Sequence, residues 1–318
     1  MLHTRRRNPF SRQELALVFI TAVWGTTFLI VHVAVQYSGP WFFVGMRFLT
    51  AGLISAVVFA RVLRGITVKE IAAGSAVGVM IFLGYGLQTV GLQTIDSSTS
   101  AFITALYVPL VPVLQWMLFR KPPGLSTWVG AGLAFVGLVL LADPASVGFT
   151  FSFGAIATVA STLPIAAEII LIGWFAGKVH LGRVTVVQLI AAGALGFMAM
   201  PVAGEGLPAF SWVGAGAAVV LGAASCVIQL TMNWAQRSVS PTKATIIYAA
   251  EPVWAAMIGR AAGERLPAVA VVGAGFIVGG ALISELKLRR RKDTGIPRRP
   301  SQLVESGASL ADQPGQTD

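Results

Sequence analysis

Residues 15–35 read LALVFITAVWGTTFLIVHVAV, an apolar run that contains no Asp, Glu, Lys or Arg. At 1.5 Å of rise per residue, about 20 such residues cross the ~30 Å hydrocarbon core of a bilayer as one helix. A buried strand of a soluble α/β protein needs only about 4–8 apolar residues before a polar turn. Length decides between the two and predicts a membrane-spanning helix. The run also exceeds the about 7–15 apolar residues of a secretory signal, and it ends in His32-Val33-Ala34-Val35-Gln36 without a small-x-small cleavage pattern, so it reads as a retained span.

The same reading extends along the chain. Breaks at Pro, Gly and charged residues leave ten candidate spans, at 15–35, 41–61, 70–92, 97–119, 126–142, 152–175, 184–203, 211–235, 241–261 and 268–286. Hydrophobic residues make up 55% of the 318 and charged residues 11%, against about a quarter charged in a soluble domain. Water cannot solvate the outside of such a body, whereas a bilayer can. The predicted fold class is therefore all-α integral membrane with ten transmembrane helices. The net charge of +10 is not a nucleic-acid footprint, because Arg5, Arg6, Arg7 and Arg12 precede the first run and Lys287, Arg289, Arg290, Arg291 and Lys292 follow the last. Those are the places where anionic lipid headgroups attract basic residues. Cys226 is the single cysteine, which excludes an internal disulfide and a thiolate metal cluster.

Basic residues in the connections set the orientation. Arg61, Arg64 and Lys69, then Arg120 and Lys121, Lys178 and Arg183, and Arg237 with Lys243 fall in alternate loops, while the intervening ones carry Asp96, Asp143 or Glu205. The excess of Lys and Arg on one side places both termini in the cytoplasm, with Arg260 and Arg265, partly offset by Glu264, as the one exception. Residues 1–14 form a basic cytoplasmic segment, and 287–318 a basic stretch followed by a polar tail without apolar periodicity, read as disordered.

An internal repeat organises the spans. At a constant offset of 143 residues Gln93 meets Gln236, Ser97 meets Ser240, Thr99 meets Thr242, Ala101 meets Ala244, Ile103 meets Ile246 and Pro109 meets Pro252. The register holds through Val129-Gly130-Ala131-Gly132 over Val272-Gly273-Ala274-Gly275 and Gly137 over Gly280. Two halves follow, 15–142 and 152–286, each with five spans. An odd number of crossings forces the halves into opposite topology. Inverted repeats are a transporter architecture in which the substrate site lies between the halves near mid-membrane and alternating access exposes it to each side in turn.

Several of these residues also carry a resemblance. Trp24-Gly25-Thr26-Thr27-Phe28 in the first span, Arg47-Phe48 in the second, Pro109 and Pro252 in the fourth and ninth, and Gly263-Glu264-Arg265-Leu266 after the ninth make the chain resemble the EamA family of the drug/metabolite transporter superfamily over about 15–286. It departs from that pattern at Phe119-Arg120-Lys121-Pro122-Pro123, where such proteins often carry a Gly-Glu-Arg turn, and at the start of the sixth span, which lacks a Trp-Gly. The resemblance implies a ten-helix carrier of the cytoplasmic (inner) membrane, exporting amino acids, metabolites or drugs.

Candidate site residues follow from what a membrane interior tolerates. Prolines within spans remove a backbone donor and free the carbonyl four residues earlier, so Pro109, Pro112, Pro164 and Pro252 are either hinges or packed kinks, with the matched pair Pro109 and Pro252 read as hinges bordering a central cavity. Ionisable residues at mid-helix cost about 2.5–3.5 kcal/mol each on insertion scales. Those present are His32, about 5 Å from the outer end of its helix, Arg47 at about 10 Å, Glu251 at about 15 Å, and Glu168 in the inner half of its span. Arg47 and Glu251 are thus each other's nearest counter-charge in depth, either as a permanent ion pair or as a pair that opens to hold a zwitterion or a proton. Glu168 lies one turn beyond Pro164 and either takes a coupling proton or caps a neighbouring helix. Trp24, Tyr85, Tyr107, Trp116, Tyr248 and Trp254 fall in spans expected to border the halves, where rings favour apolar or aromatic cargo and attract an amine. Trp41, Trp128 and Trp212, near span ends, read as an interfacial belt. The patterns Gly74-xxx-Gly78 and Gly275-xxx-Gly279 permit close helix approach and are assigned to packing within the monomer.

No HExxH, Walker A or cysteine metal spacing occurs, so the chain is read as a non-enzyme without cofactor or metal. Its expected partners are a small-molecule substrate and the lipid bilayer, with no nucleic acid. A channel, also compatible with an inverted repeat, and a non-transporting scaffold are the alternatives to a carrier.

Overall fold

The computed structural model describes residues 11–95, 97–120, 122–142, 152–261 and 268–285, and all of its regular structure there is helical. Thirteen helices follow in order: α1 Arg12–Ala34, α2 Pro40–Val58, α3 Ala60–Leu63, α4 Val68–Gly91, α5 Ser97–Thr104, α6 Tyr107–Phe119, α7 Leu125–Ala142, α8 Phe153–Phe175, α9 Leu181–Val202, α10 Trp212–Ala235, α11 Pro241–Tyr248, α12 Glu251–Ala261 and α13 Ala268–Glu285. The basic N-terminal arginines through Arg7, the connection holding Glu264 and Arg265, and the C-terminal tail lie outside the described residues.

Among the described residues, seven stretches are long and apolar enough to cross a membrane: α1, α2, α4, 99–119, α8, α9 and α10. The stretch 241–261 carries Lys243, Glu251 and Arg260, which accounts for its absence from that set.

Helix starts are set by side chains that satisfy orphan N–H groups. Ser11 with Glu14 and Thr67 with Glu70 form complete capping boxes, and Ser152, Ser211 and Ser240 each accept one backbone N–H at the start of α8, α10 and α11. Such caps matter most where lipid offers no substitute donor or acceptor.

Two of the expected spans are interrupted. The fourth breaks at Ala105-Leu106 and the ninth at Ala249-Ala250. Pro109 and Pro252 are the third and second residues of the helices that resume. They therefore do not kink a continuous helix. They stand in a first turn, where a missing N–H has no intrahelical partner to lose. The carbonyl of Ala105, freed by Pro109, accepts the Val108 N–H at 2.9 Å. Pro112 and Pro164 do lie inside α6 and α8.

The packing pairs related elements. α7 lies against α13 and α2 against α9, while α4 packs on α8 and α9 much as α10 packs on α1 and α2. In the α7–α13 contact a methyl group on Gly137 would come within 2.5 Å of the Gly273 carbonyl oxygen, and one on Gly280 within 2.5 Å of the Gly130 carbonyl oxygen. The two contacts exchange into one another under the offset that aligns the sequences, and they run the helices antiparallel. Gly74 and Gly78 pack on Val187, Gln188 and Ala191 of α9, within the monomer as expected. Gly275 and Gly279 do not: a Cβ on either would meet nothing within 4 Å, so that pattern faces outward.

Two carboxylates from different segments, Glu205 after α9 and Glu70 in α4, cap the α2–α9 pair at opposite ends. Glu205 accepts the Trp41 and Phe42 N–H groups of α2 at 3.0 and 2.8 Å. Glu70 accepts the His180 N–H just before α9 at 3.1 Å and pairs with Arg183 at 3.2 Å.

Candidate functional site

Seven helices each contribute one side chain to a buried cluster. They are Trp24 from α1, Arg47 from α2, Tyr85 from α4, Tyr107 from α6, Glu168 from α8, Tyr248 from α11 and Glu251 from α12. The Trp24-Gly25 pair explains part of the assembly. Trp24 supplies a ring, and Gly25 lets α12 approach, because a Cβ there would stand 2.8 Å from the Trp254 Cβ and 3.0 Å from the Glu251 carbonyl oxygen. Trp254 completes the seam by donating from Nε1 to Thr21 Oγ1 at 3.1 Å.

Rings form one wall. Trp24 stacks on Tyr85 at 6.3 Å between centroids and meets Tyr248 edge-on at 5.6 Å, while Phe48 meets Tyr85 edge-on at 5.1 Å. Arg47 lies over the Phe48 and Tyr85 rings at 5.2 and 5.1 Å and donates from Nε to Ser225 Oγ at 2.8 Å. The guanidinium interacts at longer range with both Glu168 and Glu251, but among the described residues it forms an ion pair with neither. The expected Arg47–Glu251 pair is thus not closed. Equal depth does not fix azimuth, and the guanidinium is turned toward α10 and the rings.

Each carboxylate has a different partner. Glu251 accepts from the Tyr107 hydroxyl at 3.4 Å. Glu168 Oε1 accepts from Gln229 Nε2 at 2.7 Å, Gln229 Oε1 from Gln188 Nε2 at 2.8 Å, and Gln188 Oε1 from Asn233 Nδ2 at 3.2 Å. Three amide groups thus point their donors in sequence toward Glu168. Its other oxygen, Oε2, has no hydrogen-bond partner, and neither do the Tyr248 hydroxyl and the Gln236 amide. The Tyr248 hydroxyl is nevertheless close enough to interact with both Gln236 and Glu168, although not at hydrogen-bond geometry.

The remaining candidates are scattered. Trp116 is 49% exposed and faces away from the cluster, contrary to its expected place at the interface of the halves. His32 Nδ1 lies 3.1 Å from the Leu92 carbonyl at the ends of α1 and α4. Pro109 and Pro252 flank Tyr107 and Glu251 in sequence, Pro164 precedes Glu168 by one turn, and Pro112 lies deeper in α6. Sequence reasoning passes over Gln188, Ser225, Gln229, Asn233 and Gln236. Their signal is an uncharged amide or hydroxyl inside an apolar run or, for Gln236, just past the end of one. No group of three His, Cys, Asp or Glu with metal-binding proximity exists among the described residues.

Beyond the cluster, two contacts tie the start of α11 to its neighbours. Lys243 pairs with Glu14 of α1, and Thr242 Oγ1 donates to Gln115 of α6. Taken together, the site offers a guanidinium to an anionic group, two separately held carboxylates to cations, and rings to an apolar body.

The sequence profile of the EamA-like transporter family matches residues 12–142 and again 152–286. The chain is similar to an uncharacterized transporter of Archaeoglobus fulgidus, at 28% identity over 86% of each chain. It is also similar to the uncharacterized inner membrane transporter YedA of Escherichia coli, at 27% identity over 83% of this chain and 87% of that one. Its fold matches that of a crystallised protein with a TM-score of 0.69 at 18% identity, covering 86% of this chain and 97% of the other.

Proposed function

The chain belongs to the EamA-like transporter family and is a multi-pass membrane transporter, and from that premise we propose that it moves a small amphipathic metabolite, such as an amino acid or an apolar derivative of one, out across the inner membrane by alternating access. The observation that carries this reading is the convergence of Trp24, Arg47, Tyr85, Tyr107, Glu168, Tyr248 and Glu251, drawn from seven helices, into one buried cluster of rings and opposed charges. A scaffold has no need to keep a guanidinium and two carboxylates unpaired from one another at such depth.

Within this reading the chain crosses the bilayer ten times in two inverted halves of five, 15–142 and 152–286, with both termini cytoplasmic. Support comes from the doubled family match, the antiparallel exchange of Gly137–Gly273 with Gly280–Gly130, and the related breaks after Thr104 and Tyr248. The segments α5–α6 and α11–α12 border the cluster from opposite halves and act as its gates, with Pro109 and Pro252 holding the breaks open.

The experiment is uptake into vesicles reconstituted with the purified protein, using cargo chosen from a metabolite-toxicity screen of overexpressing cells. A carrier gives saturable uptake and counterflow. Non-saturating flux at channel rates removes alternating access, and resistance confined to highly charged sugar phosphates removes the amphipathic cargo.

A further inference from the structure

Four polar atoms on three buried side chains have no hydrogen-bond partner: Glu168 Oε2, the Tyr248 hydroxyl, and both amide atoms of Gln236. Glu168 and Tyr248 are 0% exposed and Gln236 4%. Tyr248 interacts with each of the other two. Native proteins leave few buried polar groups unpaired, and a cluster of them marks a place that something else fills.

The atoms specify what fits. Glu168 Oε2 and Gln236 Oε1 accept, Tyr248 Oη can accept as well as donate, and an alkylammonium head carries three N–H donors. Glu168 is already polarised by the Gln229 and Gln188 amides, and no cation among the described residues pairs with it. A water molecule brings two hydrogens and no charge, so it leaves the charge of the carboxylate unmatched. The Tyr248 ring, edge-on to Trp24, adds an aromatic surface to which a cation is attracted.

We propose that Glu168, Tyr248 and Gln236 form a subsite for the protonated amine of the cargo, separate from Arg47 and from the Tyr107–Glu251 pair. The proposal rests on the carrier reading above. It exists in one copy, because the repeat places exposed Gln93 opposite Gln236 and Ala105 opposite Tyr248. The Gln236 Nε2 donor remains available for an acceptor next to the amine, and a body of one aromatic ring extends toward Trp24.

The test is equilibrium binding of phenethylamine and of its neutral isostere 2-phenylethanol to the purified full-length protein. The wild type binds the amine at least tenfold more tightly. In Glu168→Gln that ratio falls to near one while the alcohol still binds, and Tyr248→Phe and Gln236→Leu each weaken the amine several-fold and the alcohol little. Glu205→Gln, outside the cluster, serves as the control and leaves the ratio as it was. If Glu168→Gln does not fold, the Tyr248→Phe and Gln236→Leu pair decides. The subsite is overturned by a wild type without amine preference, by a Glu168→Gln variant that keeps the tenfold ratio, or by loss of the ratio in Glu251→Gln alone. Counterflow separates the two readings. Amine binding through Glu168 without any counterflow keeps the subsite and removes the carrier, whereas counterflow with an unchanged ratio in Glu168→Gln does the reverse.

Discussion

The hydroxyl of Tyr107 donates to Glu251 Oε2 at 3.4 Å, and each of these residues is the first of the helix that resumes after a break. One bond therefore ties the two interruptions together across the middle of the molecule. It is long for an O–H···O contact and contributes at most about 1 kcal/mol to stability. Tyr107→Phe should melt within about 2–4 °C of the wild type yet transport several-fold more slowly, because the two breaks lose their tie. A variant with unchanged transport would reduce the contact to packing. Pro252→Ala, which restores a donor one residue into α12, should likewise alter transport more than insertion, measured as flux per inserted molecule.

Arg47 is held by geometry as well as by charge. Its Nε bonds Ser225 and its plane covers two rings, and a lysine reproduces neither. Arg47→Lys should retain less than about a tenth of wild-type transport, which corresponds to roughly 1.4 kcal/mol or more. Because no ion pair joins Arg47 to Glu251, the exchanged pair Arg47→Glu with Glu251→Arg should insert and stay inactive. Recovery beyond half of wild-type flux would show instead that the two residues serve each other as a lock.

The reciprocal glycines of α7 and α13 predict a graded effect on stability. A Cβ on Gly137 or Gly280 meets a carbonyl oxygen at 2.5 Å, whereas one on Gly132 meets nothing within 4 Å. Gly137→Ala and Gly280→Ala should each lower stability by about 1–3 kcal/mol as overpacked sites do, and Gly132→Ala should stay within about 0.5 kcal/mol. Thermal melting of the purified variants in one detergent orders them. Equal melting of all three would mean that the contact yields without strain.

What the sequence shows of this molecule depends on how costly each residue is in lipid. The helix Phe153–Phe175 lies within one residue of its apolar run because bilayer thickness fixes the length. Trp24, Arg47, Glu168 and Glu251 stand out for a related reason: a charge or large ring inside a span demands an account. Gln229 and Gln236 do not stand out, since a neutral amide inserts cheaply and only its neighbours reveal whether it is bonded, as Gln229 is, or open, as Gln236 is. The break at Ala105-Leu106 is hidden within an unbroken apolar run, and its proline marks it three to four residues late. Depth along an axis is legible and azimuth is not, which is why Arg47 faces Ser225 and Trp116 faces outward.

The final prediction concerns Lys243 and Glu14, which pair α11 with α1 at one end of the cluster, next to the Thr242–Gln115 contact between α11 and α6. The repeat places Ser100 and Ile258 where Lys243 and Gln115 stand and keeps a threonine, Thr99, in the place of Thr242, so the opposite end lacks the lysine and the glutamine, and the Ser100 hydroxyl there has no partner. The two ends of the carrier are therefore unequal in sequence, and the Lys243 end is the one that is latched. Lys243 is 29% exposed on its side chain, so the pair is worth at most about 1 kcal/mol and weakens with salt. That is enough to shift an opening equilibrium by about fivefold. Ile247 lies one turn from Lys243 on the same face and is buried. In a Cys226→Ser background, Ile247→Cys should react with a water-soluble maleimide about fivefold faster once Lys243→Met or Glu14→Gln is added, and raised salt should speed the parent toward the same rate. Thr242→Val should act in the same direction. If the labelling rate is the same with and without Lys243, the contact closes no gate and the asymmetry of the two ends has no part in transport.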